Sequence, residues 1–495
     1  MSSQYDHTVR LFQESSPKDA IMKLPTPHYH RAALAATAML AVLTLGACTT
    51  VPQSAPFAAE NSSAKKANPI ESVAEQAWWQ DFGDAQLSSL MREAFSNSPT
   101  LAMAEARLNE AQAITGQYRS LAAPTIGVQA KTDEFKQSYN YLFPKAFLPK
   151  GYTDEAQVGL SFNWELDFWG KNRAAIAAAT TNARAASADA AQARLVLSSA
   201  IASAYVELDR LYQSHDLADR AVEIRQDSAK LVKQKLDNGV SNEAEYDQAM
   251  AGVYAAQADA AELDEQIAIT KHLIAALAGA APDRADALSR PALSPNDKAF
   301  AGAPQQVNLD LIGRRPDVIA ARWRAEAASA NIKVAHAAFY PNINLAAAVG
   351  FQALGTGNLF KGGSDFGNVG PALSLPIFDG GRLNANLKSA EAEHALAIAS
   401  YNQDILTAMQ QVADALSSQR ALTARLTASQ KSLDAYEEAY KLTKMRYDGG
   451  LSNYTALLVA EQSLLNQRRA VADLKSRALT LDIALIKALG GQYSA

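Results

Sequence analysis

Asp237-Asn238-Gly239-Val240-Ser241-Asn242 and, 211 residues later, Asp448-Gly449-Gly450-Leu451-Ser452-Asn453 decide the fold. Each is a short polar turn with glycine, set between two long stretches without a helix breaker. Other fragments return in the same order around them. Leu273-Ile274-Ala275-Ala276-Leu277 comes back as Leu485-Ile486-Lys487-Ala488-Leu489, and Leu160-Ser161-Phe162 as Leu373-Ser374-Leu375. Pro99 and Pro124 are spaced like Pro316 and Pro341, and between them Arg107 and Ala111 answer to Arg324 and Ala328. A period near 212 residues is far too long for a solenoid and fits a duplicated half. The two repeats run 76–308 and 309–495, each reading as helix, two strands, long helix, tip, helix.

Working outward from the tips, Lys171 to Asp237 spans 67 residues, about 100 Å at 1.5 Å per residue. Its counterpart, Leu383 to Tyr447, comes to about 98 Å. The return helices, Glu243 to Gly279 and Tyr454 to Gly490, reach only about 55 Å. Short helices before the strands, Pro99 to Ala122 and Asp317 to Ala338, add about 36 and 33 Å. A return helix plus a short helix therefore matches one long helix, and each half makes a rod pair near 100 Å long. Helices of this length, Ala-rich from Ala174 to Ala204, hold only by packing side by side.

The strands rest on a period of two. Val158, Leu160, Phe162, Trp164 and Leu166 alternate with Gly159, Ser161, Asn163, Glu165 and Asp167. Ile343, Leu345, Ala347, Val349 and Phe351 form a second apolar row, and Val369, Pro371, Leu373, Leu375 and Ile377 a third. Thr125 to Lys131 is a weaker fourth. Pro371 and Pro376 sit awkwardly in a ladder. Runs of about 10 residues with one apolar face match transmembrane β-strands; a soluble sandwich face is the alternative. Four strands cannot close a barrel, and an open edge in lipid costs several kcal/mol for each unpaired backbone group. Two chains give eight strands, whose side chains fill the interior. Three give twelve and a water-filled passage. The expectation is a homotrimer, with a 12-stranded β-barrel continuous with a long α-helical barrel.

The beginning reads as an address. Lys23, His28, His30 and Arg31 precede an apolar run of 16 residues ending at Ala47, too short for an ordinary spanning helix. Leu45-Gly46-Ala47-Cys48 resembles the lipobox of bacterial lipoproteins, which implies cleavage before Cys48 and acyl chains on it. Thr49, in place of Asp after the cysteine, points to the outer membrane by the enteric sorting rule. The expected lipid on Cys48 anchors firmly, each buried CH₂ contributing about 0.8 kcal/mol. The signal segment is 1–47, with Met22-Lys23 read as the start because residues 1–21 lack an apolar run. Residues 48–75, rich in Pro, Ser, Asn and Ala, read as the lipidated N-terminus and its tether.

Composition narrows the function. The chain has 495 residues, a formal net charge of −5 and one cysteine, Cys48. No nucleic-acid partner is indicated, and a disulfide framework or a Cys-based zinc site is excluded. H-E-x-x-H, Walker A, G-x-S-x-G and GxGxxG contexts are missing. His215, His272, His336 and His394 read as ordinary helix residues. No enzyme, metal or cofactor is expected beyond the covalent lipid. Glu243, Glu245 and Asp247 read as a solvated helix face that also stands beside a tip, where a pore entrance would be.

These elements resemble the TolC outer membrane factors, and more closely their lipoprotein branch (the OprM and NodT type). The resemblance runs over about residues 75–491. It is carried by Trp78-Trp79-Gln80-Asp81-Phe82-Gly83-Asp84, Arg314-Arg315-Pro316-Asp317-Val318, Phe339-Tyr340-Pro341, and Leu375-Pro376-Ile377-Phe378-Asp379-Gly380-Gly381-Arg382. Glu165-Leu166-Asp167-Phe168-Trp169-Gly170 is similar to the family's strand-to-helix turn. The resemblance implies an outer-membrane exit duct extending into the periplasm, docked to a periplasmic adaptor and an inner-membrane transporter. The docking tips would be Gly239, Val240 and Ser241 with Gly450, Leu451 and Ser452. Gly170, Gly380 and Gly381 would make the strand–helix turns, and Gly380-Gly381 suits unusual dihedrals. Pro99 and Pro316 suit helix starts. Arg314-Arg315 is expected in structural ion pairs, and Trp78-Trp79 packed on the helical belt. Where family members often carry a carboxylate ring at the periplasmic constriction, this chain has Val459, with Thr455 one turn earlier, while Glu461 faces elsewhere. A hydrophobic gate of Thr455 and Val459 follows. Passive conduction of small molecules or drugs is the leading function. A duct for type I protein secretion is the alternative, and a surface stalk is disfavoured because a stalk need not turn back.

Overall fold

The computed structural model describes residues 77–140, 144–293 and 313–491. The signal segment 1–47, Cys48 and the tether 48–75 lie outside the described residues. Two long helices dominate, α3 (Lys171–Asp237) and α6 (Arg382–Asp448), each of 67 residues. Each turns back into a helix of 35 residues, α4 (Glu243–Leu277) and α7 (Tyr454–Ala488). Shorter helices α2 (Pro99–Leu121) and α5 (Pro316–Ala337) begin with proline in the first turn, where a missing N–H is harmless.

The end-to-end stacking expected from the lengths is present, and two glycines make it. Gly279, just past α4, has φ +75°, and a β-carbon there would lie 2.5 Å from the carbonyl oxygen of Asn97, beside the start of α2. Gly490, just past α7, has φ +82°, and a β-carbon there would lie 2.9 Å from Arg315 Cα, beside the start of α5. Helices α4 and α2 thus stack along α3, and α7 and α5 along α6. Arg315 locks the second joint: it is buried, pairs with Asp317 at 2.7 Å, and donates to the carbonyl oxygen of Ala488 at 3.0 Å. Arg314 is exposed. Alanine permits the close approach of α3 and α5, where Ala188 and Ala191 are buried against Ile319 and Ala320.

One α-helix among the described residues escaped the sequence reading, α1 (Ala85–Asn97). Asp84 caps it, accepting from the amides of Gln86 at 2.7 Å and Leu87 at 3.0 Å. Its Leu87, Leu90, Met91 and Ala94 enter the main core with Trp78, Trp79 and Phe82 and with Ile201, Tyr205 and Leu208 of α3. The tryptophan pair is therefore packed on the helices, as expected. Tyr205 closes a buried network by donating to Asp84 Oδ2 at 2.9 Å.

The four strands form one antiparallel sheet in the order β1 (Thr125–Phe135), β2 (Thr153–Glu165), β3 (Asn342–Leu354), β4 (Asp365–Ser374). Two expectations are corrected. The last strand ends at Ser374, so Leu375, Pro376 and Ile377 lie beyond it, where proline no longer has to donate to a ladder. Pro371 remains in β4, opposite Leu345, on an edge strand of the chain's sheet. The weak fourth strand is fully formed, paired along its length from Thr125↔Asn163 to Phe135↔Thr153.

Candidate functional site: two hairpin tips and a two-faced sheet

Register divides the sheet into unlike faces. One carries Ile126, Val128, Leu160, Phe162, Trp164, Leu345, Val349, Phe351, Val369 and Leu373, paired row by row across the strands. Many of these are exposed in the single chain, Ile126, Val128 and Val369 at more than seven-tenths. The other face carries Thr125, Gln129, Lys131, Gln157, Ser161, Asn163, Asn344, Gln352 and Asn368. Aromatics bracket the apolar face. At the helix end Trp169 stacks on Tyr340 at 4.8 Å and donates to the Pro341 carbonyl at 2.8 Å, beside exposed Phe168 and Phe378. At the loop end Phe351 and Phe360 meet edge to face at 5.5 Å. An apolar outer band between aromatic girdles is the pattern of a barrel wall in lipid, with polar groups inward.

Glycines carry the chain from sheet to rod. Gly170 has φ +77°, and Gly380 and Gly381 have +66° and +90°. Neighbouring aspartates cap the helices that follow: Asp167 accepts from the amides of Asn172 and Arg173, and Asp379 from those of Gly381 and Leu383.

At the far ends the two tips are built alike. Gly239 (φ +72°) donates to Leu236 O and Val240 to Lys235 O; Gly450 (φ +74°) donates to Tyr447 O and Leu451 to Arg446 O. These paired bonds close a helix through one left-handed residue. Asn242 and Asn453 then cap the return helices, accepting from Glu245 N and Ala456 N. Val240 and Leu451 protrude, 76% and 74% exposed. Ser241 donates to Glu245 at 2.6 Å, and Ser452 is half-buried. Behind the tips Val232, Val253, Tyr447, Tyr454 and Leu457 form a small core. Lys235 clamps the hairpins together, with Nζ 3.5 Å from the centre of the Tyr447 ring.

Thr455 and Val459 lie one turn apart on the exposed side of α7, Val459 at 61%. Glu461 points the other way, is 2% exposed, and sits 3.4 Å from Arg225 of α3. Burial raises its carboxyl above the usual range, and the Arg225 guanidinium opposes that shift. Arg225 also donates to Gly252 O at 2.9 Å and to Gln462 at 2.5 Å, joining three helices. The sequence reading missed this tether because its partners come from opposite repeats. His215 lies within α3, its ring nitrogens 3.2 and 3.1 Å from Asp219 and Asp264. Among the described residues no group of His, Cys, Asp and Glu is gathered to hold a metal.

The family model for outer membrane efflux proteins matches residues 90–280 and 309–491. The chain is 32% identical over 473 residues to outer membrane protein OprJ of Pseudomonas aeruginosa, covering 93% of this chain and 96% of that protein. It is 30% identical over 425 residues to multidrug resistance outer membrane protein MdtP of Escherichia coli, covering 84% and 86%. Among solved structures, outer membrane protein VceC of Vibrio cholerae superposes with a TM-score of 0.79 at 40% identity, over 84% of this chain and 99% of that one. A sheet with one face for lipid, two long helical hairpins and these matches lead to one conclusion: the chain belongs to the outer membrane efflux protein family.

Proposed function

We propose that three copies join edge to edge into the exit duct of a tripartite efflux system, which passes small molecules from periplasm to exterior. The observation that carries this reading is the two-faced sheet with its edges at β1 and β4 open in the single chain. In lipid those edges must pair, each unpaired group costing several kcal/mol. Three sheets of four strands close into a barrel of twelve, wide enough for a lumen between a filled eight-stranded barrel and a porin. The rods extend about 100 Å from the barrel. Their tips are the parts placed to meet a periplasmic adaptor end to end, and through it an inner-membrane transporter. Exposed Val240 and Leu451 supply apolar contacts there. Thr455 and Val459 line the constriction just inside. A lipid on Cys48 tethers the N-terminus to the outer membrane. The name of MdtP, a multidrug resistance protein, favours small molecules over secreted protein as cargo. Native mass spectrometry of detergent-extracted protein tests the assembly and the anchor together. The expected particle holds three chains, each with the added mass of a diacylglycerol and an acyl group. A conducting monomer or dimer sinks the trimer, and chains of unmodified mass sink the lipid.

A further inference from the structure

We propose that Phe366 sets the free bore of the duct toward its outer end, and that Gly159 and Gly350 form the recess holding its ring against the wall. The inference rests on reading the polar face of the sheet as the lumen. Gln129, Gly159, Gly350 and Phe366 are consecutive partners across the four strands, so they share one row of that face. Apart from Phe135 at the end of β1, Phe366 is the aromatic residue that the ladder places on the polar face. An aromatic ring standing out from there would project into the passage. It does not stand out. A β-carbon built on Gly159 would lie 3.3 Å from Phe366 Cζ, so the ring reaches from β4 across β3 to rest over β2. Phe366 is half-buried as a result.

Two strands' breadth is bridged because the sheet bends sharply here. A β-carbon on Gly350 would collide with the Val158 carbonyl oxygen and come within 2.5 Å of Gly159 Cα. Paired glycines inside strands mark such a close approach at a barrel corner. The corner does two things. It curves four strands toward closure, and with no side chain at Gly159 it lets the Phe366 ring tip come to where a β-carbon would crowd it, 3.3 Å away. The ring of Phe366 is thereby held over the wall, half-buried. At Gly159 the nearest atoms to an added β-carbon are the Val349 carbonyl oxygen at 3.0 Å and the ring tip. The ring is the softer neighbour, so even a methyl group at 159 tips it into the lumen. Three copies place three rings at one level.

The test reads passage from outside, independently of the tips. Asn344 faces the lumen deeper than Phe366, paired with Glu165 near the helix end of the sheet. In intact cells, Asn344→Cys is labelled with maleimides carrying polyethylene glycol of increasing mass, against the parent chain, whose one cysteine is Cys48. We expect Gly159→Ala to slow the largest reagents several-fold and the smallest hardly at all. Adding Phe366→Ala to Gly159→Ala should restore the parental size profile. If Asn344→Cys resists even the smallest reagent, the polar face is not an open lumen and the duct reading itself fails. If it is labelled but the size profile ignores Gly159→Ala, the recess proposal alone is overturned. Should Gly159→Ala not assemble, Phe366→Trp carries the test: a ring too large for the recess must lower the size limit, and an unchanged limit refutes the proposal.

Discussion

Asp482 shows how a single buried carboxyl leaves its mark on this helical rod. It lies between α7 and α6, accepting from Gln419 Nε2 at 3.2 Å, while its second oxygen and the Gln419 carbonyl oxygen have no partner. Burial pushes its carboxyl up from 3.8 to about 7, with the Gln419 amide working against the shift. The native state thus holds a proton that the unfolded chain releases. This contribution to stability is full below the unfolded value and is lost as pH rises toward about 7. Asp482→Asn keeps the shape and removes the titration. Thermal unfolding at pH 3, pH 5 and pH 8 should show the variant little changed at pH 3, somewhat more stable at pH 5 and a few degrees more stable at pH 8. Equal shifts at all three pH values would mean that Asp482 does not titrate in this range. The residue scale was the least legible in the sequence. Glu461 was placed on the correct face by counting helical turns, but Arg225 beside it could not be found that way, because its distance along the chain follows from the duplication and not from any local pattern. Asp84 was quoted within a motif, yet its role as cap of α1 went unread, although Leu87, Leu90, Met91 and Ala94 carry the i, i+3, i+4, i+7 spacing of a helix face.

At the scale of elements the sequence was far more legible, for a physical reason. Periods of 2 and 3.6 and the punctuation of Gly and Pro act over one element at a time. Hence α3 and α6 end where Gly239 and Gly450 require, and β3 runs through the alternation of Ile343 to Phe351. The end of β4 was misjudged because Leu375 and Ile377 continue the apolar alternation after pairing with β3 has stopped. The tips offer an experiment that separates folding from docking. At both glycines the space a β-carbon would occupy is open, so substitution meets only the backbone conformation. That strain costs about 1–2 kcal/mol per residue, too little to dismantle a large trimer. Gly239→Val with Gly450→Val should therefore leave the trimer assembled in the outer membrane, by heat-resistant mobility on gels, while efflux of a fluorescent substrate is lost. Normal pumping by correctly inserted double variant would remove the tips from adaptor docking.

Only in the whole molecule do the exposed surfaces of the single chain acquire partners. The apolar face of the sheet asks for lipid, the open edges for other copies, and the exposed side of α7 for whatever surrounds the axis of the rods. Val459 is the informative residue there, because it is exposed in the chain, sits one turn from Thr455, and lies opposite the face that buries Tyr454, Leu457 and Glu461. If α7 lines the passage near its narrow end, three copies bring three Val459 side chains to one level. A neutral ring of valines offers no field to passing ions. Val459→Asp would place three carboxylates together where water is scarce, and clustered charge of one sign in a narrow cleft raises the local concentration of counter-ions. Trimers in planar bilayers should then turn clearly cation-selective, read as a shift of reversal potential in a salt gradient, and the shift should shrink in concentrated salt as screening shortens the field. A reversal potential identical to the parent's would place Val459 outside the pore lining, and the hydrophobic gate would have to be sought on another face.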